Sequence, residues 1–205
     1  MKNIYKQEFL TEQKDRLSLS RHKPLCLWFE GLSGAGKSTL INQLDQYLVK
    51  NNFHTYILDG DNLRLGLNSD LGFSDNDRNE NLRRAAEVSS LMVDAGLLVL
   101  AGFITPNEVQ RKLIRSKFKE EQFIEIFLST PLEVCEKRDI KGLYKKARDG
   151  KIDNFTGISS AFELPQNSDL IIDTSNKSIS ECLSIIISFK NNKHSSVLII
   201  NLKRK

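Results

Sequence analysis

A chain of 205 residues, 40% hydrophobic and 27% charged, suits one domain with a real core and has the make-up of an ordinary soluble globule. Its longest apolar run, residues 97–104, is far short of the roughly 20 residues that cross a bilayer, and the charged opening MKNIYKQEFL lacks the apolar centre of a secretory signal. The net charge of +4 gathers in Lys190, Lys193, Lys203, Arg204 and Lys205 with no aromatics between them, which favours a solvated tail over a nucleic-acid arm.

Cys26, Cys135 and Cys182 stand far apart, without metal-ligand spacing, so buried reduced thiols and a cytoplasmic setting are expected. In chain order, residues 1–23 form a polar leader of uncertain structure. Residues 25–29 (LCLWF) read as a buried strand. Next comes Gly31-Leu32-Ser33-Gly34-Ala35-Gly36-Lys37-Ser38, which fits G-x-x-x-x-G-K-[ST] at every fixed position. Leu40, Ile41, Leu44, Tyr47 and Leu48 then recur at helical spacing, predicting a helix from 37 to about 50. The glycines let successive N–H groups turn inward toward phosphate oxygens, and the helix N-terminus adds its positive end. Lys37 would reach the β- and γ-phosphates, and Ser38 would offer its hydroxyl to Mg²⁺. A glycine-rich turn that merely caps a helix is the plain alternative, and both flanks argue against it.

Further strands are predicted at 54–58, 97–103, 123–128 and 170–173, and helices at about 76–94, 106–118, 131–138 and 178–190. Several strands are nearly continuous apolar runs, as in a parallel sheet covered on both faces. The fold class is α/β: a three-layer P-loop NTPase-type domain over 24–190, with a mainly parallel central sheet and a basic lid segment. The ligand would lie at the carboxyl ends of the strands. A basic tail covers 191–205, in which 197–200 is apolar enough for an extra edge strand. Thr105-Pro106-Asn107-Glu108 and Thr130-Pro131-Leu132-Glu133 each resemble a capping box, with Thr as cap and Glu three residues on.

The second strand runs into Asp59-Gly60-Asp61-Asn62-Leu63-Arg64. Carboxylates at that strand end suit Mg²⁺ or an attacking hydroxyl, although the same residues are good turn formers in which Asp61 would only cap a helix. Arg64, Arg78 and either Arg83 or Arg84 could converge on an anionic acceptor, with Phe73 as an aromatic face. Taken singly, each arginine also reads as a solvated helix residue. The segment 137–151 is strongly basic and precedes the last strand. Arg138 and Arg148 there could neutralise a transferring phosphoryl group.

The phosphate loop, LDGDNLRLGLNSDLGFSDNDRNENLRR, ITP, PLEVCEKRDIKGLYKKARDG and NFTGI together closely resemble the motifs of the adenylylsulfate kinases, in order and spacing, over about residues 20–190. The resemblance implies transfer of the ATP γ-phosphate to the 3′-hydroxyl of adenosine 5′-phosphosulfate, with Mg²⁺ and a homodimer. It implies ATP contacts from Gly31, Leu32, Ser33, Gly34, Ala35, Gly36, Lys37, Ser38, Thr39, Arg138 and Arg148. Asp61 would orient the hydroxyl and, with Ser38, hold the metal. Asp59, Arg64, Phe73, Arg78 and Asn81 would line the acceptor, Phe73 stacking on adenine, while Ile104, Lys141, Leu143 and Phe155 close over it.

Two departures stand out. Thr105 replaces the serine that the family marks as a phosphoryl-enzyme residue. It keeps a hydroxyl, but the capping box offers a sufficient structural reason for it. Glu108 replaces a common arginine, which motivates a rival acceptor, another nucleotide or nucleoside diphosphate derivative. Arg111, one turn on, matches a family arginine. A GTPase switch is disfavoured because Asn176-Lys177 is followed by Ser and Ile, and a non-catalytic nucleotide-binding module because loop, Asp61 and lid cations are all present.

Overall fold

The computed structural model describes residues 5, 7–20 and 22–189. The basic tail, including the candidate edge strand at 197–200, lies outside them. Five parallel strands form the sheet: β1 (Leu25–Glu30), β2 (Thr55–Asp59), β3 (Leu98–Phe103), β4 (Phe123–Leu128) and β5 (Leu170–Ile172). Their order is β2-β3-β1-β4-β5. Every residue of β1, β3 and β4 is buried, which accounts for their near-continuous apolar sequences.

Alternate side chains of β1 feed the two faces. Leu25, Leu27 and Phe29 pack with Leu40, Ile41, Leu44 and Leu48 of α2 (Lys37–Lys50), and with Cys182 and Ile186 of α8 (Ile179–Ser188). Cys26 and Trp28 face the other way, against Leu82, Ala85, Ala86 and Val93 of α4 (Asp75–Asp94) and Ile114 of α5 (Glu108–Arg115). All three cysteines are buried and free. Short helices complete the chain: α1 (Gln13–Leu17) in the leader, α3 (Gly60–Arg64) after β2, a 3₁₀ turn at Glu120–Gln122, then α6 (Leu132–Arg138) and α7 (Leu143–Arg148) in the basic segment. Among the described residues no helix is long and apolar enough to cross a membrane.

The two expected threonine caps are not formed. Helix α5 starts later than predicted, capped by Asn107, whose side chain accepts from the Gln110 N–H. Thr105 is drawn into the core, where its hydroxyl accepts from the Trp28 indole N–H at 3.0 Å. Thr130 likewise bonds Thr174 Oγ1 at 2.7 Å and the Ala35 carbonyl. In both places a buried partner in need of a hydrogen bond outcompetes the exposed helix end.

Candidate active site

Strand β1 sits where the connections diverge to both sides of the sheet, so the phosphate loop leaves from the crevice at its carboxyl end. The loop needs its glycines. Gly34 has φ +76°, and a Cβ there would stand 2.9 Å from the Cys135 carbonyl; Gly31 would meet the Leu128 carbonyl at 2.8 Å. Neighbouring elements brace the loop from outside. Tyr144 Oη donates to the Ser33 carbonyl at 2.9 Å, and Thr174 Oγ1 to the Ala35 carbonyl at 2.9 Å. Arg138 donates to the Gly34 carbonyl at 3.2 Å and to the Thr174 carbonyl at 2.8 Å. Tyr144 lies within the basic motif without standing out in it, and Thr174 lies in none; only the pairing of α7 and the β5 end against the loop marks them.

Lys37 folds over the loop, its Nζ donating to the Gly31 and Leu32 carbonyls at 2.8 Å each. Burial pulls its ammonium down to about 8, against the opposing pull of Asp59 and Asp61. Ser38 and Thr39 are exposed at the mouth. Ser38 Oγ donates to Asp59 Oδ2 at 3.0 Å, joining the start of α2 to the end of β2. Asp59 also caps α3, its Oδ1 accepting from the Asp61 and Asn62 N–H groups. Asp61 is therefore not the cap; its carboxylate is free of that duty and pairs with Lys141 from the basic segment. A residue of the basic segment thus reaches the carboxylate beside the loop.

On the acceptor side, the Arg64 guanidinium lies 4.6 Å from the centroid of the exposed Phe73 ring and donates to the Gly72 carbonyl at 2.6 Å. Arg78 donates to the Phe73 carbonyl at 2.9 Å, to the Asn154 carbonyl at 2.8 Å and to Thr156 Oγ1 at 3.1 Å. Both arginines thus converge on the stretch around Phe73. Arg83 and Arg84 do not join them. They pair with Glu80, and Arg84 also with Asp70.

Asn81 is buried, and its Oδ1 accepts from Asn68 Nδ2 at 2.9 Å. The Phe155 ring packs edge-on to Tyr144 at 5.0 Å, Leu143 is half-buried at the start of α7, and Ile104 is half-buried beside the fully buried Thr105. Arg148 is turned to Glu136 of α6, at 2.9 Å and 3.0 Å. Glu108 also has local company: its carboxylate stands 3.6 Å from Arg111 Nη1, and its N–H donates to Glu163. Arg111 itself is buried and bonded to Glu30 of β1.

A phosphate cradle with its lysine, a hydroxyl after β1 and two carboxylates at the end of β2, with β3 between them, and an arginine-lined shelf opposite define a P-loop phosphotransferase. Comparison with known proteins narrows the class. Residues 23–173 match the model of the family described as adenylylsulphate kinase. The chain is 54% identical over 189 residues to an adenylyl-sulfate kinase of Shewanella sp. (strain MR-7), covering 92% of each protein. It is 46% identical to the solved APS kinase of Mycobacterium tuberculosis in complex with AMPPNP and APS, with a TM-score of 0.78, covering 82% of this chain and 97% of that one. A hexameric APS kinase from Thiobacillus denitrificans is 28% identical with a TM-score of 0.62, covering 85% of this chain and 29% of that one. The chain belongs to the adenylylsulphate kinase family.

Proposed function

We propose that this chain is an ATP-dependent kinase that phosphorylates the 3′-hydroxyl of adenosine 5′-phosphosulfate. The observation that carries the reading is the placement of Lys37 after β1 and Asp61 after β2, at the same carboxyl edge of the sheet with β3 between them, one at the phosphate loop and the other facing the arginine shelf. ATP lies along Gly31–Thr39, with Lys37 leaving the loop carbonyls for the β- and γ-phosphates, whose charge favours its ammonium form. Ser38 Oγ and the carboxylates of Asp59 and Asp61 are hard oxygen donors that fit Mg²⁺ beside phosphate oxygens and water. The metal supplies charge neutralisation on the triphosphate.

Asp61 exchanges Lys141 for the acceptor hydroxyl, orients it and takes its proton. The O3′–Pγ bond forms as the bond from Pγ to the bridging oxygen breaks, and ADP leaves. Arg64 and Arg78 hold the acceptor's anionic bridge while adenine lies against Phe73. Lys141, freed from Asp61, closes with Leu143 over the bound acceptor. Most of the rate enhancement is positioning and electrostatic stabilisation. Thr105 takes no covalent part: its hydroxyl is buried and bonded to Trp28, and in-line transfer needs no phosphoryl-enzyme. Glu108, engaged with Arg111, gives no reason for a different acceptor.

Incubation with ATP, Mg²⁺ and adenosine 5′-phosphosulfate, with the phosphorylated position assigned by NMR, tests the reading. The expected product is the 3′-phosphate. Faster turnover of another nucleotide, or no ATP consumption with any acceptor, would refute it. A cytoplasmic homodimer is the setting we infer from the family resemblance, and sedimentation at equilibrium tests the assembly.

A further inference from the structure

Residues 154–163 cross the molecule as a strap. At one end Arg78 holds the Asn154 carbonyl and Thr156 Oγ1. Midway, Gly157 passes so close to the phosphate loop that a Cβ on it would meet Leu32 Cδ2 at 3.1 Å. At the far end Glu163 is stitched to the turn after β3 by three bonds. Its N–H donates to the Pro106 carbonyl at 2.8 Å, its carboxylate accepts the Glu108 N–H at 2.9 Å, and its carbonyl accepts from Arg111 Nη2.

Arg111 is the hub of that end. Its Nε donates to both Glu30 oxygens at 3.1 Å, and Nη2 also reaches the Thr105 carbonyl at 2.9 Å. Glu30 is the last residue of β1, immediately before the phosphate loop, and is fully buried. One side chain therefore ties the root of the loop, the turn bearing Ile104 and Thr105, and the end of the strap. Open space lies on both sides of the strap: a cavity of about 560 Å³ toward Leu32 and Thr130, and one of about 270 Å³ toward Arg78 and Gln110. Between these spaces Phe155 and Ile158 pack on the core and Phe162 stacks on Phe127, while hydrogen bonds fix the two ends of the strap.

We propose that Arg111 is a positioning residue for acceptor binding, holding the strap so that Arg78 and Phe155 keep their places, while touching neither substrate. This rests on the kinase reading above. The asymmetry of its partners decides which substrate suffers. The loop's own root, Glu30, lies in a central strand paired on both sides, so ATP binding is insulated. The strap and the turn after β3 are held by side-chain bonds and packing in place of strand ladders.

Steady-state kinetics and melting of two variants test the idea. Arg111→Lys keeps a cation beside Glu30 but loses the fork that reaches both carbonyls. Glu30→Gln/Arg111→Met removes both buried charges together, which avoids stranding an unpaired one. In each, the acceptor KM is expected to rise about tenfold, as for a slightly misplaced binding wall, while the KM for ATP stays within about twofold. A melted double variant leaves Arg111→Lys to decide. A folded variant with unchanged acceptor KM, or with both KM values raised alike, would overturn the proposal. Absence of turnover by the unaltered chain would instead overturn the kinase reading itself.

Discussion

Lys37 donates to two loop carbonyls, so a move to phosphate would exchange hydrogen bonds rather than create all of them. Lys37→Ala is expected to abolish turnover with melting little changed. Among the described residues the Asp61 side chain pairs with Lys141, while Asp59 does the capping. Asp61→Ala should therefore lower kcat by roughly 10²–10⁴, the usual range for a positioned general base, with ATP affinity retained in calorimetry. Normal kcat in that variant would remove the role. Arg78→Ala loses an acceptor contact and a strap anchor, so acceptor affinity should weaken by at least about 1.5–3 kcal/mol, the range for a charge-assisted bond. At Thr105, mass spectrometry during turnover should find no phosphate, and Thr105→Ser should keep activity because it keeps the acceptor for the Trp28 N–H.

Among the elements, the turn between α3 and α4 matters most for the acceptor, since it carries Phe73 between Arg64 and Arg78. Its base is fastened by Arg84, which holds Asp70 in the turn and Glu80 on α4. Hydrogen bonds from Arg83 and then Arg84 draw the Glu80 carboxyl down to about 2, and Arg84 lowers that of Asp70. Folding lowers both values; the Glu80 contribution is present above 4.5 and is lost as pH falls toward about 2. Glu80→Gln should accordingly melt below the unaltered chain at neutral pH, and the gap should close by about pH 2 in thermal scans. A gap independent of pH would show that the ion pairs do not fasten the turn. Another element-scale test is Gly34→Ala, which puts a Cβ against the Cys135 carbonyl at a left-handed φ. Nucleotide affinity should fall sharply.

Across the whole molecule, what was legible followed what is buried by repetition. Strand β4 matched its predicted 123–128 bounds and α2 its 37–50, because an apolar run and a 3.6-residue stripe both leave a period in the sequence. Helices α3 and α7 left none: each is five or six residues long, and Asp-Gly-Asp-Asn reads equally well as a turn. The loop declared itself by spacing, whereas its braces, Tyr144 and Thr174, come from 111 and 139 residues away. The threonine caps failed for a related reason. Local pattern offered Thr105 and Thr130 a helix end, and the tertiary structure offered better partners.

Trp28 is the sole tryptophan of the chain; it stacks on Phe103 at 4.7 Å, and its ring nitrogen is tied to the turn that borders the acceptor shelf. The molecule thus carries one optical reporter, shielded from water and wired by a single bond to the wall expected to respond to acceptor. Its emission should be blue-shifted in the unliganded enzyme, and any spectral change should titrate with acceptor in preference to nucleotide.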